Sequence, residues 1–407
     1  MKILYVLGFL PPYVTREIEA VASSEHDISV LLPELREKNS TADFWNGISN
    51  DPKNNSVTVS RTLEFKYLTC SAKRLIVPFL RSFRFPKTMV KSLQNKEFRY
   101  FIVASSAVLG MDHSSKPDII HAHFAHDNAH IARIIADILK IPYSVTTHAA
   151  DIFVPDSTER LCRVLQKAAV VFTISQYNIS HLLKYGIARK KIVVARLGLD
   201  TSELPCREKT TPTPLAVCTA SGLVSKKGVP ILIEAMRLIK KRGTDCTLTV
   251  IGADPDGKLL KEYRRSNTDL PINFAGVLRS DETLSIVSAA SFFVLPCIEA
   301  ANGDKDGIPV ALMEAMGMGV PCISTRVSGI PELIENNISG ILVKPRSPEE
   351  LADAMEAMLS GKEKADRLGN SGREKILANH FPSKQAHILT KNFARIAAER
   401  KKVELHS

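Results

Sequence analysis

The chain has 407 residues, of which 44% are hydrophobic and 24% charged, a balance typical of folded globular proteins and not of disordered chains. Its length predicts two domains, or about three at most. The formal net charge of +11 favours an anionic partner, and no apolar stretch reaches the roughly 18 residues that a membrane-spanning helix needs.

The N-terminal apolar run Ile3–Leu10 predicts a first strand, because it lacks the basic region and the small-residue cleavage site of a signal peptide. Cysteines are scattered along the chain with no close pair: Cys70, Cys162, Cys206, Cys218, Cys246, Cys297 and Cys322. Disulfide frameworks and zinc sites show repeated short spacings, so these residues are predicted to be reduced core thiols of a cytosolic protein.

Short apolar runs rich in β-branched residues recur along the chain and predict strands. In the first half they lie at Ile3–Leu7, Ile28–Leu32, Val57–Ser60, Ile119–His123, Tyr143–Thr147, Val170–Ile174 and Ile192–Arg196. In the second half they lie at Leu215–Thr219, Thr247–Ile251, Ile272–Gly276, Phe292–Leu295, Pro321–Thr325 and Ile341–Val343. Helical patterns separate the later runs, at Val229–Lys241, Glu282–Ala290 and Glu349–Leu359. This alternation predicts an α/β protein with two Rossmann-like parallel sheets in series.

A proline-containing polar segment, Thr201–Pro214, reads as the linker between the two sheets. We therefore predict an N-terminal domain over 1–205 and a second domain over 206–380. A basic helical pattern at Pro382–Lys401 forms a third segment, 381–407.

The most informative loop is Ala300–Gly319, which follows the predicted strand Phe292–Leu295. Parallel sheets bind ligands at the carboxyl ends of their strands. Pro309 is predicted in the first turn of a helix, whose free N–H groups and positive dipole end suit a diphosphate. Asp306 and Glu314 are acceptors for sugar and ribose hydroxyls. Taken alone, the pair would be better explained as a loop acid and a solvated helix acid, and the surrounding loop reverses that preference.

A second loop, Ser221–Gly228, carries Lys226 and Lys227 at a helix entrance, where positive charge opposes the helix dipole. Phosphate contacts would explain this placement, and a solvated lysine pair is the alternative. Two weaker signals are the turn Gly276, Val277 and Leu278, whose backbone could meet a base edge, and Thr325–Gly340, which a simple strand, turn and helix would explain.

Histidines concentrate at the ends of two predicted strands of the first half. His148 ends the strand Tyr143–Thr147 and could contact a sugar hydroxyl or the reacting centre, or simply be a buried core histidine. His126 and His130 have the spacing of a metal pair on a helix. Because Asp127 is the sole acidic or cysteine neighbour, packing and crevice lining are favoured for the cluster His121, His123, His126 and His130.

A basic stretch from Arg61 to Arg99 holds ten lysines and arginines against two acids, interleaved with bulky apolar residues. This pattern predicts an interfacial segment on an anionic membrane, with a solvated basic helix as the alternative.

The run GIPVALMEAMGMGVPCIST followed by SGIPELIENNISGILV closely resembles the donor-binding half of family 4 retaining glycosyltransferases. Within that family it is nearest to the enzymes of colanic acid and exopolysaccharide biosynthesis. Further similarity lies at Ile120–Phe124, at His148–Asp151 and at Ser225–Gly228. The resemblance implies the GT-B fold, in which two Rossmann-like domains face a central cleft and the C-terminal helix returns to the first domain.

The resemblance also implies residue roles. Asp306 would contact the sugar, Glu314 the ribose and Lys227 the diphosphate, while His148 would lie beside the transferred sugar. Lys227, Asp306 and His148 are therefore the predicted catalytic residues. The other predicted substrate contacts are Glu314, Gly307, Ile308, Pro309, Lys226, Gly276, Val277, Leu278, Gly8 and Asp151.

Three departures from the family pattern stand out. Asp306 replaces the usual glutamate and is one methylene shorter. Gly222 occupies the place of a common diphosphate-binding arginine, which Lys226 or Arg326 could replace. Ala149 stands where glycine is usual.

The predicted activity is retaining transfer from a UDP- or GDP-sugar to a glycan or lipid-linked glycan, with no cofactor and no metal. The predicted location is the cytoplasm, at the inner face of the plasma membrane. An epimerase, a phosphorylase or a non-catalytic sugar-nucleotide-binding protein of the same fold are alternatives. Nucleic-acid binding ranks last, because no recognition helix is evident and aromatics are few.

Overall fold

The computed structural model describes residues 1–8, 11–24, 26–33, 57–62, 86–95, 97–111, 116–207, 215–254 and 258–405. Their contacts divide the chain into two compact units. The first contains Met1–Ile174, Ile179–Gly198 and Pro382–Ser407, and the second contains Ser175–Asn178 and Leu199–Phe381.

The first unit is built on a parallel sheet of seven described strands in the order β3-β2-β1-β4-β5-β6-β7. These strands are β1 (Lys2–Val6), β2 (Asp27–Pro33), β3 (Val57–Thr62), β4 (Ile119–His123), β5 (Tyr143–Thr147), β6 (Val170–Thr173) and β7 (Ile192–Val194). Each coincides with a predicted apolar run. The order reverses between β1 and β4, which makes the carboxyl ends of these two strands the switch point where doubly wound sheets bind ligands.

Helices cover both faces of this sheet: α1 (Pro12–Ala22), α2 (Pro86–Gln94), α3 (Phe98–Gly110), α4 (Asp127–Leu139), α5 (Ala150–Phe153), α6 (Thr158–Lys167), α7 (Tyr177–Lys184, which begins in the second unit) and α15 (Pro382–Leu405). Successive strand residues point to opposite faces. Leu4 and Val6 of β1 therefore pack into the core beneath α3 and α4, whereas Ile3 and Tyr5 pack beneath α1 and the C-terminal helix α15.

The second unit repeats this design with six described strands in the order β10-β9-β8-β11-β12-β13, again all parallel. They are β8 (Leu215–Gly222), β9 (Thr247–Ala253), β10 (Ile272–Gly276), β11 (Phe292–Leu295), β12 (Cys322–Thr325) and β13 (Ile341–Val343). All six were predicted. The order reverses between β8 and β11, so this sheet has its switch point there.

The helices of the second unit are α8 (Val229–Lys241), α9 (Lys258–Ser266), α10 (Ser280–Ser288), α11 (Val310–Gly317), α12 (Ile330–Leu333), α13 (Pro348–Ser360) and α14 (Lys362–Asn379). Residues 199–205 differ from the predicted division, because they belong to this unit and not to the first. A methyl group added at Gly317 of α11 would meet Leu204 at 2.8 Å and Leu199 at 3.2 Å, so this segment is packed against α11.

No helix among the described residues is long and apolar enough to cross a membrane. The interfacial segment predicted between Arg61 and Arg99 falls largely on residues 63–85, which lie outside the described part of the chain.

Candidate functional site

Two loops meet at the switch point of the second sheet. One follows β8 and contains a turn of 3-10 helix, Ser225–Lys227, and the other runs from Pro296 to Pro309 after β11. Gly228 allows their close approach, because a methyl group there would lie 1.9 Å from the carbonyl oxygen of Pro296. The backbone N–H of Ile298 donates to the carbonyl of Lys226 at 2.9 Å, which fixes the register of the two loops.

An ion cluster joins the predicted phosphate lysines to the predicted sugar acid. Nζ of Lys227 lies 2.7 Å from Oδ2 of Asp306, and both side chains are nearly buried, at 11% and 12% exposure. Nζ of Lys226 lies 3.0 Å from Asp304 and 3.4 Å from Asp306. Two ammonium groups of the loop after β8 thus face two carboxylates of the loop after β11. A diphosphate that binds here would compete with these carboxylates for the lysines.

The helix α11 begins next to this cluster. Pro309 is its N-cap, one residue earlier than the first-turn position that was predicted. The consequence for binding is unchanged, since the first N–H groups of the helix follow the cap and carry the positive end of the dipole. Gly307, Ile308 and Pro309 are buried, and Glu314 is half-buried in the second turn of α11.

The loop after β12 contacts the same segment. The N–H of Gly329 donates to the carbonyl of Gly307 at 3.2 Å, so this loop supports the approach to α11. Beside it lies a cavity of about 580 Å³ whose lining includes Lys305, Arg326 and Arg346. Arg326, one candidate to replace the missing arginine, therefore lines this cavity, whereas Lys226, the other candidate, sits in the ion cluster.

The turn predicted to meet the base, Gly276 to Leu278, follows the edge strand β10 at the carboxyl edge of the sheet. Gly276 adopts φ +77°, and Val277 is 75% exposed. Two strands, β9 and β8, separate it from β11. It therefore lies along the same edge of the sheet as the loops after β8 and β11.

In the first unit, His148 and Asp151 lie directly after β5 and are 5% and 1% exposed. Oδ1 of Asp151 accepts hydrogen bonds from the N–H groups of His148 at 3.0 Å and Ala149 at 2.8 Å, and Oδ2 accepts one from Ala125 at 3.0 Å. Asp151, a predicted substrate contact, therefore has backbone donors on both carboxylate oxygens, and these bonds hold the His148 loop in place. Gly8, at the end of β1, is exposed at the switch point of this sheet.

A polar chain connects His148 to the interior. Nε2 of His148 lies 3.2 Å from Nδ1 of His123, and Nε2 of His123 lies 2.9 Å from Oε1 of Glu17 on α1. Burial, followed by the proximity of His123, lowers the pKa of His148 well below its usual value, so its ring is neutral at physiological pH.

The histidine cluster divides between two environments. Nδ1 of His130 lies 2.7 Å from Glu97, away from His126, which precedes α4 instead of lying in it. His126 and His130 therefore do not lie together within one helix, as the disfavoured alternative of a metal pair would need. His121, His123 and Glu17 do place three potential ligand atoms within 4.8 Å of one another.

Sequence reasoning missed Asp304, Glu17 and the role of His123. Glu17 carries one usable signal, an acid between the buried positions Val14 and Ile18 of an amphipathic helix. Asp304 has none, because a loop acid in a polar segment is ordinarily solvated.

Comparison with known proteins identifies related sequences for both halves. Residues 13–203 match the family model described as Glycosyltransferase Family 4, and residues 214–361 match the model described as Glycosyl transferases group 1. WcaL of Escherichia coli K12, named for a glycosyltransferase role in colanic acid biosynthesis, is 31% identical over 252 residues, which are 60% of this chain and 61% of WcaL. The amylovoran biosynthesis glycosyltransferase AmsK of Erwinia amylovora is 32% identical over 60% of each chain. The chain thus spans about three fifths of the length of these relatives.

Solved structures share the fold over nearly the whole chain. HepE of Anabaena, crystallised with UDP and glucose, gives a TM-score of 0.69 at 17% identity and covers 97% of this chain and 99% of its own. Sucrose-phosphate synthase of Thermosynechococcus elongatus gives 0.72 at 16% identity, covering 98% of this chain and 100% of its own. The predicted α/β fold of the GT-B glycosyltransferases is confirmed.

Proposed function

We propose that the chain, whose two parts match the models described as Glycosyltransferase Family 4 and Glycosyl transferases group 1, moves a sugar from a nucleotide-diphosphate sugar to a glycan or lipid-linked glycan, with retention of configuration. The observation that carries this proposal is the ion cluster of Lys226, Lys227 and Asp306 at the start of α11. The names of WcaL and AmsK support polysaccharide biosynthesis as the setting.

The donor diphosphate would bind to the two lysines and to the start of α11, in competition with the carboxylates of Asp304 and Asp306. Lys227, with the N–H groups that follow Pro309, would stabilise the charge that develops on the leaving diphosphate. Glu314 would accept hydrogen bonds from the ribose, and Asp306 from the sugar. Because Asp306 already lies 2.7 Å from Lys227, the same carboxylate would orient this lysine.

The transfer step balances without a protein base. The bond between the anomeric carbon and the diphosphate oxygen breaks, and the diphosphate leaves with its electron pair. The acceptor oxygen bonds to that carbon on the face the diphosphate leaves, and its proton passes to a diphosphate oxygen. His148 would contact a hydroxyl of the transferred sugar. Since protein groups supply the positive charge, no metal or other cofactor belongs to this proposal.

The cytoplasmic face of a membrane is the proposed location of the chain, and a lipid-linked glycan is its proposed acceptor. An anionic membrane at the cytoplasmic face would present a lipid-linked acceptor, and the basic composition between Arg61 and Arg99 favours such a surface. Sedimentation with vesicles containing anionic lipid, at low and high salt, measures this part separately.

The decisive experiment measures UDP and GDP binding, and then sugar transfer from the matching donors, for the wild-type chain and Lys227→Ala. We expect the substitution to lower kcat/KM by about 100-fold, because it removes a charge-assisted contact to the leaving group. Lys241→Ala is the matched control: it removes an equal charge from an exposed position at the other end of α8.

The outcomes separate the alternatives. Near-normal transfer in Lys227→Ala would contradict the proposed site. Nucleotide binding without transfer or hydrolysis would indicate a non-catalytic binding protein, and conversion of the donor alone into another nucleotide sugar would indicate an epimerase. Loss of activity in excess EDTA would contradict the metal-free mechanism.

A further inference from the structure

The strand β4 and the helix α1 bring three side chains of the first unit together. His121 and His123 are two residues apart on β4 and point to the same face of the sheet. That face is covered by α1, so Glu17 lies over the two imidazoles although it is 106 residues from His123 in the chain. His148 joins the group from the end of the neighbouring strand β5.

The two histidines differ in their partners. His121 is fully buried, and its ring nitrogens contact Oγ of Ser144 at 2.8 Å and Oγ1 of Thr146 at 3.1 Å. His123 contacts Glu17 through Nε2 and His148 through Nδ1. Nε2 of His121 lies 3.9 Å from Oε1 of Glu17, beyond hydrogen-bond distance, whereas His123 links this carboxylate to His148.

The proton positions follow from these partners. An ionised carboxylate only accepts hydrogen bonds, so Nε2 of His123 must carry a proton toward Glu17. An imidazole that holds a single proton, placed on Nε2, has an acceptor at Nδ1. Its partner at 3.2 Å, Nε2 of His148, must then be the donor.

We infer that Glu17 and His123 are positioning residues that hold His148 in the tautomer protonated on Nε2. In this tautomer Nδ1 of His148 carries a lone pair and accepts a hydrogen bond. The inference rests on the proposed function in one respect, the sugar hydroxyl that would donate to this nitrogen. It predicts that His148 orients its ligand by accepting a hydrogen bond and not by donating one.

Neighbouring groups support this arrangement. The hydroxyl of Tyr5 donates to Oε1 of Glu17 at 3.3 Å and holds this carboxylate in place over the imidazoles. The ring of Phe124 stacks on His148 with centroids 4.1 Å apart and restricts its rotation. The backbone bonds from His148 to Asp151 fix the loop.

A metal ion is the competing occupant of Glu17, His121 and His123. It would require lone pairs on ring nitrogens of both histidines, directed at one point. In the structure the nitrogens of His121 are engaged by two hydroxyl groups, and those of His123 by Glu17 and His148. Hydrogen bonding therefore already uses the atoms that a metal would need.

The test is the tautomer itself, read from long-range proton–nitrogen spectra of the full chain labelled with nitrogen-15 histidine. At pH about 8 ordinary histidines are neutral. The His148 signals are those lost in His148→Asn. We expect a protonated Nε2 and an unprotonated Nδ1 in the wild type. The opposite tautomer, or tight Zn²⁺ binding that removes the Nε2 proton of His123, would overturn the inference.

The variant Glu17→Gln tests the cause. An amide either donates or accepts, so it no longer fixes His123, and His148 should become a mixture of tautomers. The control Ser144→Ala removes the contact to His121 and should leave the His148 signals unchanged. An unaltered tautomer in Glu17→Gln would overturn the inference. If this variant fails to fold, the wild-type spectrum still decides.

Activity gives a second readout. Glu17→Gln should lower kcat by about 10- to 100-fold, the range typical when an orienting partner of a site imidazole is lost. The donor KM should remain within about twofold if the loss concerns orientation and not binding. Because the spectra need no substrate, a chain that transfers no sugar would contradict the proposed function and leave the tautomer result standing.

Discussion

Replacing Gly228 by alanine tests whether the two donor-site loops touch as the structure shows. Gly228 has φ +68°, and an added methyl group would lie 1.9 Å from the carbonyl oxygen of Pro296. No rotamer change relieves this overlap, because both atoms belong to the backbone or are fixed to it. The loop after β11 must move, and with it the N–H of Ile298 that bonds to Lys226.

The loss of stability expected for Gly228→Ala has two contributions. A left-handed conformation costs a non-glycine residue about 1–2 kcal/mol. Overpacking adds about 1–3 kcal/mol, so Gly228→Ala should destabilise the second unit by about 2–5 kcal/mol in total. For a domain of this size, each kcal/mol corresponds to about 2–4 °C in Tm.

Gly243 provides the matched control. It has φ +79°, in the turn after α8, and no atom lies within 4 Å of an added methyl group. Gly243→Ala should therefore show the backbone term alone, about 1–2 kcal/mol.

The assay is urea unfolding of both variants, with hydrogen exchange of peptides from β11 to report on the second unit. Nucleoside diphosphate affinity should fall in Gly228→Ala and stay near the wild-type value in Gly243→Ala. Equal losses of stability in the two variants, within about 0.5 kcal/mol, would refute the contact with Pro296.

Two further predictions concern the charges of the two units. Burial opposes ionisation of Glu97, but the hydrogen bond from His130 and the charges of Arg133 and Arg163 outweigh it and lower the pKa of Glu97 to about 2. Because folding lowers the pKa of Glu97, its ionised carboxylate adds about 3 kcal/mol to the free energy of unfolding above pH 4.5, and this contribution is lost as the pH falls toward 2. We expect Glu97→Gln to flatten the pH dependence of the free energy of unfolding, measured in urea, over this range. In the second unit, Gly222→Arg should tighten nucleoside diphosphate binding about 3- to 10-fold in calorimetry, since the nearest atom to an added methyl group is 3.7 Å away and the family commonly carries arginine there. A stability profile of Glu97→Gln with the wild-type slope, or weaker binding by Gly222→Arg, would contradict these expectations.

The strands and their fold class could be predicted from the sequence because the information is local. A run such as Phe292–Leu295 is apolar on both faces, and this pattern is typical of a parallel strand covered on two sides. The start of α11 could likewise be predicted, since Pro309, with Gly307 two residues before it, is typical of the beginning of a helix. These signals lie within a few residues of the feature they describe.

The contacts that give the sites their chemistry are not local. Lys227 and Asp306 are 79 residues apart, and their pairing depends on the adjacency of β8 and β11, which the strand order creates. Asp151 was predicted as a substrate contact from the family resemblance, and only the fold shows that backbone N–H groups of His148 and Ala125 donate to its carboxylate.

The two sheets, the resemblance to family 4 glycosyltransferases and the helix start between Asp306 and Glu314 could be predicted from the sequence, because apolar periodicity and helix-start signals lie in neighbouring residues. Tertiary structure alone decided that Lys226 and Lys227 face this loop across the switch point of the second sheet, and that Glu17 reaches His148 through His123. The physical reason is that hydrogen bonds and ion pairs form between atoms about 3 Å apart, and chain folding, not sequence distance, sets which side chains come that close.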